Sequence, residues 1–189
     1  MDTETFKSQM QYLKDKGYGV LGMEDLIAFF DEGRVLPKKS VLITFDDGYD
    51  DFYQNALPVI NELGFPATVF LPTGLMDNPG YLSWNQIISS SSVLYANHTW
   101  SHKNMQTSKE KIEFEIGTAD SQLAERSLNS AKVFAYTYGL VSDYAKTYLN
   151  KLGYKLAFST RPGSTLCKKQ RLELPRVRIG DTPLSVYGF

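Results

Sequence analysis

Short apolar runs alternate with amphipathic stretches along the chain, and that alternation predicts its elements. Phe6, Met10 and Leu13 recur at helical spacing, as do the apolar positions from Glu24 to Phe30, so two short helices open the chain and Gly17 caps the first. In KKSVLITFDDG the run VLITF is continuous, apolar and rich in β-branched residues, and it stops at two acids and a glycine. Such a run predicts a strand buried on both faces, with Asp46 and Asp47 at its carboxyl end. Residues 51–63 predict a helix, kinked at Pro58 and ended by Gly64, before a second strand in ATVFLP. Beyond it the pattern gives a short helix from Trp84 to Ile88, a strand in SVLYAN and a long polar-faced helix from Ser108 to Leu128. The remainder reads as a strand and turn in KVFAYTYG, a helix from Ser142 to Leu152, and two last strands in YKLAFST and LELPRVRI. Alternation of this kind predicts an α/β fold with a mostly parallel sheet or barrel joined by right-handed crossovers. Active sites in such folds lie where the carboxyl ends of strands meet their loops, and both acids sit at such an end.

Composition narrows this picture. A chain of 189 residues with 42% apolar content fits one domain, spanning 1–189, with a sizeable core. Formal net charge is −1 and the Lys and Arg residues are spread out, so there is no electrostatic footprint for nucleic acid or anionic lipid, and a neutral substrate fits. The opening MDTETFKSQMQYLKDKGY lacks the apolar centre of a signal peptide and no later run is long enough to span a bilayer, so no membrane contact is expected of this segment. Cys167 is the sole cysteine, which rules out an internal disulfide and a Cys-x-x-Cys site; a partly buried thiol without a role is expected there.

The chemistry concentrates in two places. His98 and His102 are the only histidines, four apart in NHTWSH; on a helical turn that spacing puts both imidazoles on one face, close enough to share a metal ion. Alone, the pair is equally a surface or core pair. TFDDG changes the weighing, because adjacent carboxylates at the edge of a buried sheet repel unless a cation or a donor network offsets them. Side chains of neighbouring strand residues point to opposite sides, so one acid can hold a metal while the other meets a water. One Asp and two His make a three-ligand site with open positions, suited to zinc in a hydrolytic role.

These residues resemble the polysaccharide deacetylases, the NodB-homology group also called carbohydrate esterase family 4. TFDDG at 44–48 and HTWSH at 98–102 are similar to that family's first two motifs, and FAYTYG at 134–139 to its third. LELPRVRI at 172–179 resembles a late segment of the poly-β-1,6-N-acetylglucosamine deacetylase branch. The resemblance runs from about Phe6 to Ile179 and implies a distorted (β/α) barrel of mostly parallel strands, NodB-like. It implies further that Asp46 is the general base and that Asp47, His98 and His102 hold a divalent metal, zinc first, with cobalt, nickel or iron as alternatives. Tyr138 would offer its backbone N–H to the oxyanion, and Arg176, or less favourably Arg178, would brace Asp46. Tyr49, Trp100 and Tyr136, with Trp84, are candidate stacking platforms for pyranose rings.

The implied reaction removes N-acetyl groups from a polysaccharide containing N-acetylglucosamine, releasing acetate. Chitin-like, peptidoglycan, acetylxylan and β-1,6-linked polymers all remain open, and the late segment favours the last. Such polymers place the parent protein outside the cell or at its envelope. Three positions depart from the family pattern. Thr137 stands where a proline is usual, which is expected to loosen the turn that aims the Tyr138 amide, and Ala135 stands where many relatives carry an arginine. Relatives also use a further histidine as proton donor, on a strand before the opening helices. Met1 is therefore expected to lie inside a longer protein, or else turnover is expected to be poor. The missing histidine and Thr137 favour one rival reading, a glycan-binding pseudoenzyme of the same fold. A second rival is a magnesium-dependent phosphoacceptor or phosphatase built on the Asp pair, but no glycine-rich phosphate loop accompanies it.

Overall fold

The computed structural model describes residues 1–189. Helix α1 (Thr3–Asp15) starts where Asp2 accepts the Thr5 N–H, buries Phe6, Met10 and Leu13 on one stripe, and stops where Gly17 enters the left-handed region. A two-residue strand β1 (Gly19–Val20) and helix α2 (Met23–Glu32) follow; α2 ends at Gly33, also left-handed.

The run VLITF departs from the single strand its pattern predicts. Residues Ser40–Val41 form β2, which pairs with β1 in a separate two-stranded sheet, whereas Thr44–Phe45 form β3, an edge of the main sheet. The chain changes sheets across Leu42 and Ile43, so all five residues of the run are half-buried rather than enclosed on both faces. Apolar continuity reported burial against something, but not that the partner changes midway.

Pro58 acts as expected, through a wider device than a kink. Residues Phe52–Ala56 form a π-helical turn, and α3 (Leu57–Leu63) begins with Pro58 in its first turn, where a missing N–H costs nothing. Strand β4 (Thr68–Leu71) is buried throughout. Helix α4 (Trp84–Ser89) opens with a reciprocal Ser83–Gln86 capping box, and β5 (Leu94–Asn97) follows. Helix α5 (Lys109–Ala124) starts at its Ser108 cap but ends four residues short of Leu128. Strand β6 (Val133–Ala135), helix α6 (Asp143–Lys151), capped by Ser142, and β7 (Leu156–Phe158) complete the alternation.

LELPRVRI is not a strand. Leu174 makes one parallel bridge to Phe158, with its N–H on Ala157 O, and Pro175 then breaks the ladder because it has no N–H to give. Cys167 is exposed rather than partly buried.

The main sheet runs β3-β4-β5-β6-β7, every neighbour parallel. Strands in sequence order, each returning through a helix of the same layer, curl the sheet into a half-barrel, the distorted (β/α) barrel expected. Apolar residues of α1, α3, β4 and β5 fill one side of the core, and α2 with β6, β7 and Phe70 fill another. The sheet thereby presents the carboxyl ends of β3, β5 and β6 on one rim. No helix is long and apolar enough to cross a membrane.

Candidate active site

Strand β3 ends at Phe45, and the backbone then turns sharply. Asp47 (φ 73°) and Gly48 (φ 63°) are both left-handed, and a Cβ on Gly48 would meet the Leu71 side chain at 2.8 Å. The two carboxylates therefore diverge because the chain leaves the extended conformation at Asp47, a different cause from strand alternation. Asp47 Oδ1 faces His102 Nε2 at 2.9 Å and His98 Nε2 at 3.4 Å. Asp46 faces the other way, gripped at two points by Arg176, whose Nη1 and Nη2 lie 2.8 Å and 2.7 Å from its oxygens. Arg176 is itself held, donating to Ser159 O at 3.0 Å and to Thr44 Oγ1 at 3.2 Å. Arg178 is exposed and makes no such contact.

These partners set the charge states. Burial pushes the Asp46 carboxyl up, but the Arg176 guanidinium more than cancels that, with His98 adding to it, so Asp46 stays below the ordinary carboxylate range. Hydrogen bonds from His102 and then His98 hold Asp47 well below that range. Both acids are ionised at neutral pH.

The histidines do not stand on a helical turn. His98 continues β5, with its N–H on Leu71 O at 3.0 Å, whereas His102 ends a loop in which Thr99 (φ 71°) and His102 (φ 59°) are left-handed. Two reversals in four residues fold the loop back and bring the rings to 5.1 Å between centroids. The Asn97 amide accepts the Thr99 N–H at 2.8 Å, which stabilises the first reversal. Only 2% of the His98 side chain is exposed, and its Nδ1 lies 2.7 Å from Ala135 O; that bond needs a proton on Nδ1, so Nε2, on the side of Asp47, is the nitrogen that would bind a cation. His102 Nδ1 meets the Tyr138 hydroxyl at 3.2 Å.

One oxygen or nitrogen from each of Asp47, His98 and His102 lies within 4.8 Å of the others, a mixed carboxylate and imidazole set that could hold a divalent cation. The donor set fits such an ion: His98 has a fixed tautomer, and the carboxylate is ionised in advance. This geometry gives no preference among zinc, cobalt, nickel and iron.

The third segment forms the next part of the rim. Tyr138 is left-handed (φ 57°) at the tip of the turn after β6, and its ring is 63% exposed, edge-on to His102. Thr137 does not loosen this turn. Its side chain is buried and its hydroxyl donates to Lys103 O, which ties the turn to the residue after His102. Gly139 permits the close approach of Thr160, whose Oγ1 would lie 2.0 Å from any added Cβ.

Tyr136 is not a sugar platform. It is fully buried, donates its hydroxyl to Leu172 O at 2.8 Å, and offers no ring face to solvent; burial also pushes its phenol far up. Trp100 is partly exposed but committed inward, its indole so close to Gly74 that a Cβ there would lie 2.5 Å from Nε1, and its ring edge-on to Phe114. Tyr49 is 48% exposed and stacks obliquely on Tyr81 at 5.3 Å; the Asp47 charge pushes its phenol up. Trp84 lies under the Arg126 guanidinium at 4.1 Å.

Two residues escape a reading of the sequence. Tyr81 carries no signal beyond being aromatic. Glu115 does carry one: it interrupts the buried stripe Ile112, Ile116, Ala119, Leu123 of α5, and its carboxylate accepts the Trp100 and Ser101 N–H groups.

The profile of the polysaccharide deacetylase family matches residues 33–157, which run from before β2 into β7 and include all three motif segments. The chain belongs to the polysaccharide deacetylase family. Among curated relatives, the poly-beta-1,6-N-acetyl-D-glucosamine N-deacetylase of Staphylococcus aureus is 26% identical over 193 residues, covering 93% of this chain and 66% of its own length. The chain spans about two thirds of the length of the curated relatives it matches, 63% and 66% for two of them. Among solved structures, the deacetylase PplD of Streptococcus pyogenes, in complex with acetate, superposes with a TM-score of 0.88 at 28% identity, over 94% of this chain and 80% of that one. IcaB of Ammonifex degensii, at 23% identity, shares the fold with a TM-score of 0.83 over 95% of this chain and 84% of that one.

Proposed function

We propose that this family member hydrolyses N-acetyl groups on a polysaccharide containing N-acetylglucosamine, releasing acetate, with a divalent metal, zinc first, held by Asp47, His98 and His102. The observation that carries the reading is the division of labour between adjacent acids. Asp47 Oδ1 meets both imidazoles at 3.4 Å and 2.9 Å, while Asp46 is gripped separately by Arg176. A cation in that set would supply Lewis-acid polarisation of the amide carbonyl and acidify the attacking water.

The chain's own residues supply the rest. Asp46, ionised and oriented by Arg176, takes a proton from the water as oxygen adds to the acetyl carbon. The Tyr138 N–H, at the tip of its left-handed turn, donates to the oxyanion that forms on the substrate. Breaking the C–N bond requires a proton on the departing nitrogen. With both histidines in the ligand set, Asp46 returns the proton it took, so the balance closes on acetate and a free amine. Tyr49, exposed next to Asp47, offers a ring for a sugar, and Trp100 braces the histidine loop from inside.

Similarity to the S. aureus enzyme supports a β-1,6-linked N-acetylglucosamine polymer as substrate, and a protein acting on such a polymer would work outside the cell or at its envelope. Residues 1–189 act as one catalytic domain in this reading. The test is acetate release from N-acetylglucosamine oligomers of β-1,6 and β-1,4 linkage, with zinc and after chelation. Zinc-dependent release, greater on the β-1,6 series, is the expected result. Tight zinc binding with no release on any oligomer would make the protein a glycan-binding relative without turnover.

A further inference from the structure

The loop that carries His102 hangs from a residue outside every motif. Glu115 on α5 is 5% exposed, and its Oε2 accepts the N–H groups of Trp100 at 3.1 Å and Ser101 at 2.8 Å, while Oε1 accepts the Ser101 hydroxyl at 2.5 Å. No lysine, arginine or histidine pairs with it. An anion buried without a cation is costly, and here loop donors alone offset the cost.

Helix α5 is a rigid base for this grip, since Ile112, Ile116, Ala119 and Leu123 fix the same face in the core. The two histidines need it unequally. His98 is held by the β5 ladder and by Ala135 O. His102 follows two residues that belong to no strand or helix, and the polar partners of its ring are Asp47 and the exposed Tyr138. What fixes the distance between the imidazoles is the path of Trp100 and Ser101; the Gly74 N–H holds Trp100 O at 2.7 Å, and Glu115 holds the N–H groups of both residues.

We propose that Glu115 is a positioning residue for the metal site: by clamping Trp100 and Ser101 it holds His102 at the separation from His98 that one divalent cation requires. The inference rests on the reading of Asp47, His98 and His102 as the ligand set. It assigns Glu115 no contact with substrate or metal.

Calorimetric zinc titration of the chelator-stripped chain tests it, with E115Q, S101A and the double variant compared with wild type, and melting of each metal-free protein measured alongside. E115Q keeps the size of the side chain but removes the charge that strengthens the two N–H bonds, and it puts an NH2 where the Ser101 hydroxyl donated, so that the hydroxyl must turn to accept. Its zinc affinity is expected to fall about tenfold to a hundredfold, as for other partners that orient ligands. S101A, which deletes one hydroxyl donor, is expected to lose roughly threefold to tenfold. The double variant is expected to be no weaker than E115Q alone, because both act through one contact. In cobalt-loaded protein at saturation, the visible absorption of E115Q is expected to differ from wild type, since the imidazole separation has changed. A folded E115Q with a lower melting temperature but wild-type zinc affinity and an unchanged cobalt spectrum would overturn the proposal and leave Glu115 a purely structural clamp. If E115Q does not fold, S101A decides, and wild-type affinity there overturns the proposal equally. Absence of zinc binding by the wild-type chain would instead remove the ligand-set reading itself, an outcome distinct from failure of Glu115 alone.

Discussion

Two polar clusters meet at the carboxyl end of β5, one through Asn97 and the other through its neighbour His98, and they behave differently. Around Tyr154 the groups close on one another: its hydroxyl donates to Asp120 at 2.8 Å and accepts from Asn97 at 2.6 Å, and Lys132 meets the same Asp120 oxygen at 2.6 Å. Around Asp47 the groups converge without closing: one carboxylate oxygen faces two imidazole nitrogens, with Asp47 29% and His102 23% exposed. A closed network of donors and acceptors stabilises a fold and leaves nothing for a ligand. An open set, pre-ionised and reachable from solvent, has what a ligand site needs. Asn97 belongs to the first cluster and also accepts the Thr99 N–H in the second, so the closed cluster braces the open one.

The largest expected effect breaks the open cluster at its chemical step. Asp46→Asn keeps the size of the side chain but cannot take a proton, and kcat for acetate release is expected to fall about 10²-fold to 10⁴-fold while zinc affinity stays near wild type. Equal losses in both would mean that Asp46 is part of the ligand set. Arg176→Gln comes next. It removes most of what opposes the burial of Asp46, so the Asp46 pKa rises, and the acid limb of the kcat/KM profile is expected to move to higher pH. An unmoved limb would show that another group is the base.

Tyr154→Phe sharpens the comparison from the closed side. Asn97 keeps Ile116 O and Asp120 keeps Lys132, so a stability loss of about 1–2 kcal/mol by urea melting is expected, with acetate release unchanged. A fall in zinc affinity would show that bracing through Asn97 is tighter than two separable clusters allow. The smallest effect is alkaline. Burial raises the phenols of Tyr95, Tyr136 and Tyr154 above the ordinary value of 10.0, so the neutral forms favour the folded chain. Their contribution is whole below the unfolded value and is lost as pH climbs from it toward the folded ones; the urea midpoint is expected to fall above pH 10.

The candidate site residues were legible because chemistry left few candidates. With two histidines in the whole chain and two adjacent acids at a strand end, the elements of a ligand set could be named from types and spacing. Arg176 was legible from the resemblance, 130 residues away in sequence from the carboxylate it meets. What misled was local geometry. Spacing of four suggested a helical turn at 98–102, where the loop uses two left-handed residues instead, because an amino-acid type says little about φ once tertiary hydrogen bonds oppose it. Tyr136 read as a platform because aromatics near a motif are common to walls and cores alike, and only the placement of β6 in the sheet interior decided between them.

The sequence by itself determined the order of helices and strands from α3 to β7, the parallel α/β class and the identity of the groups able to do chemistry, since periodicity and side-chain type are properties of the chain alone. The tertiary structure alone decided that VLITF is shared between two sheets, that Pro175 ends the last pairing after one bridge, and that Glu115 reaches fourteen residues back to the loop before His102. Each of those depends on which groups meet across long separations, and that is settled by the packing of the whole chain rather than by any window within it.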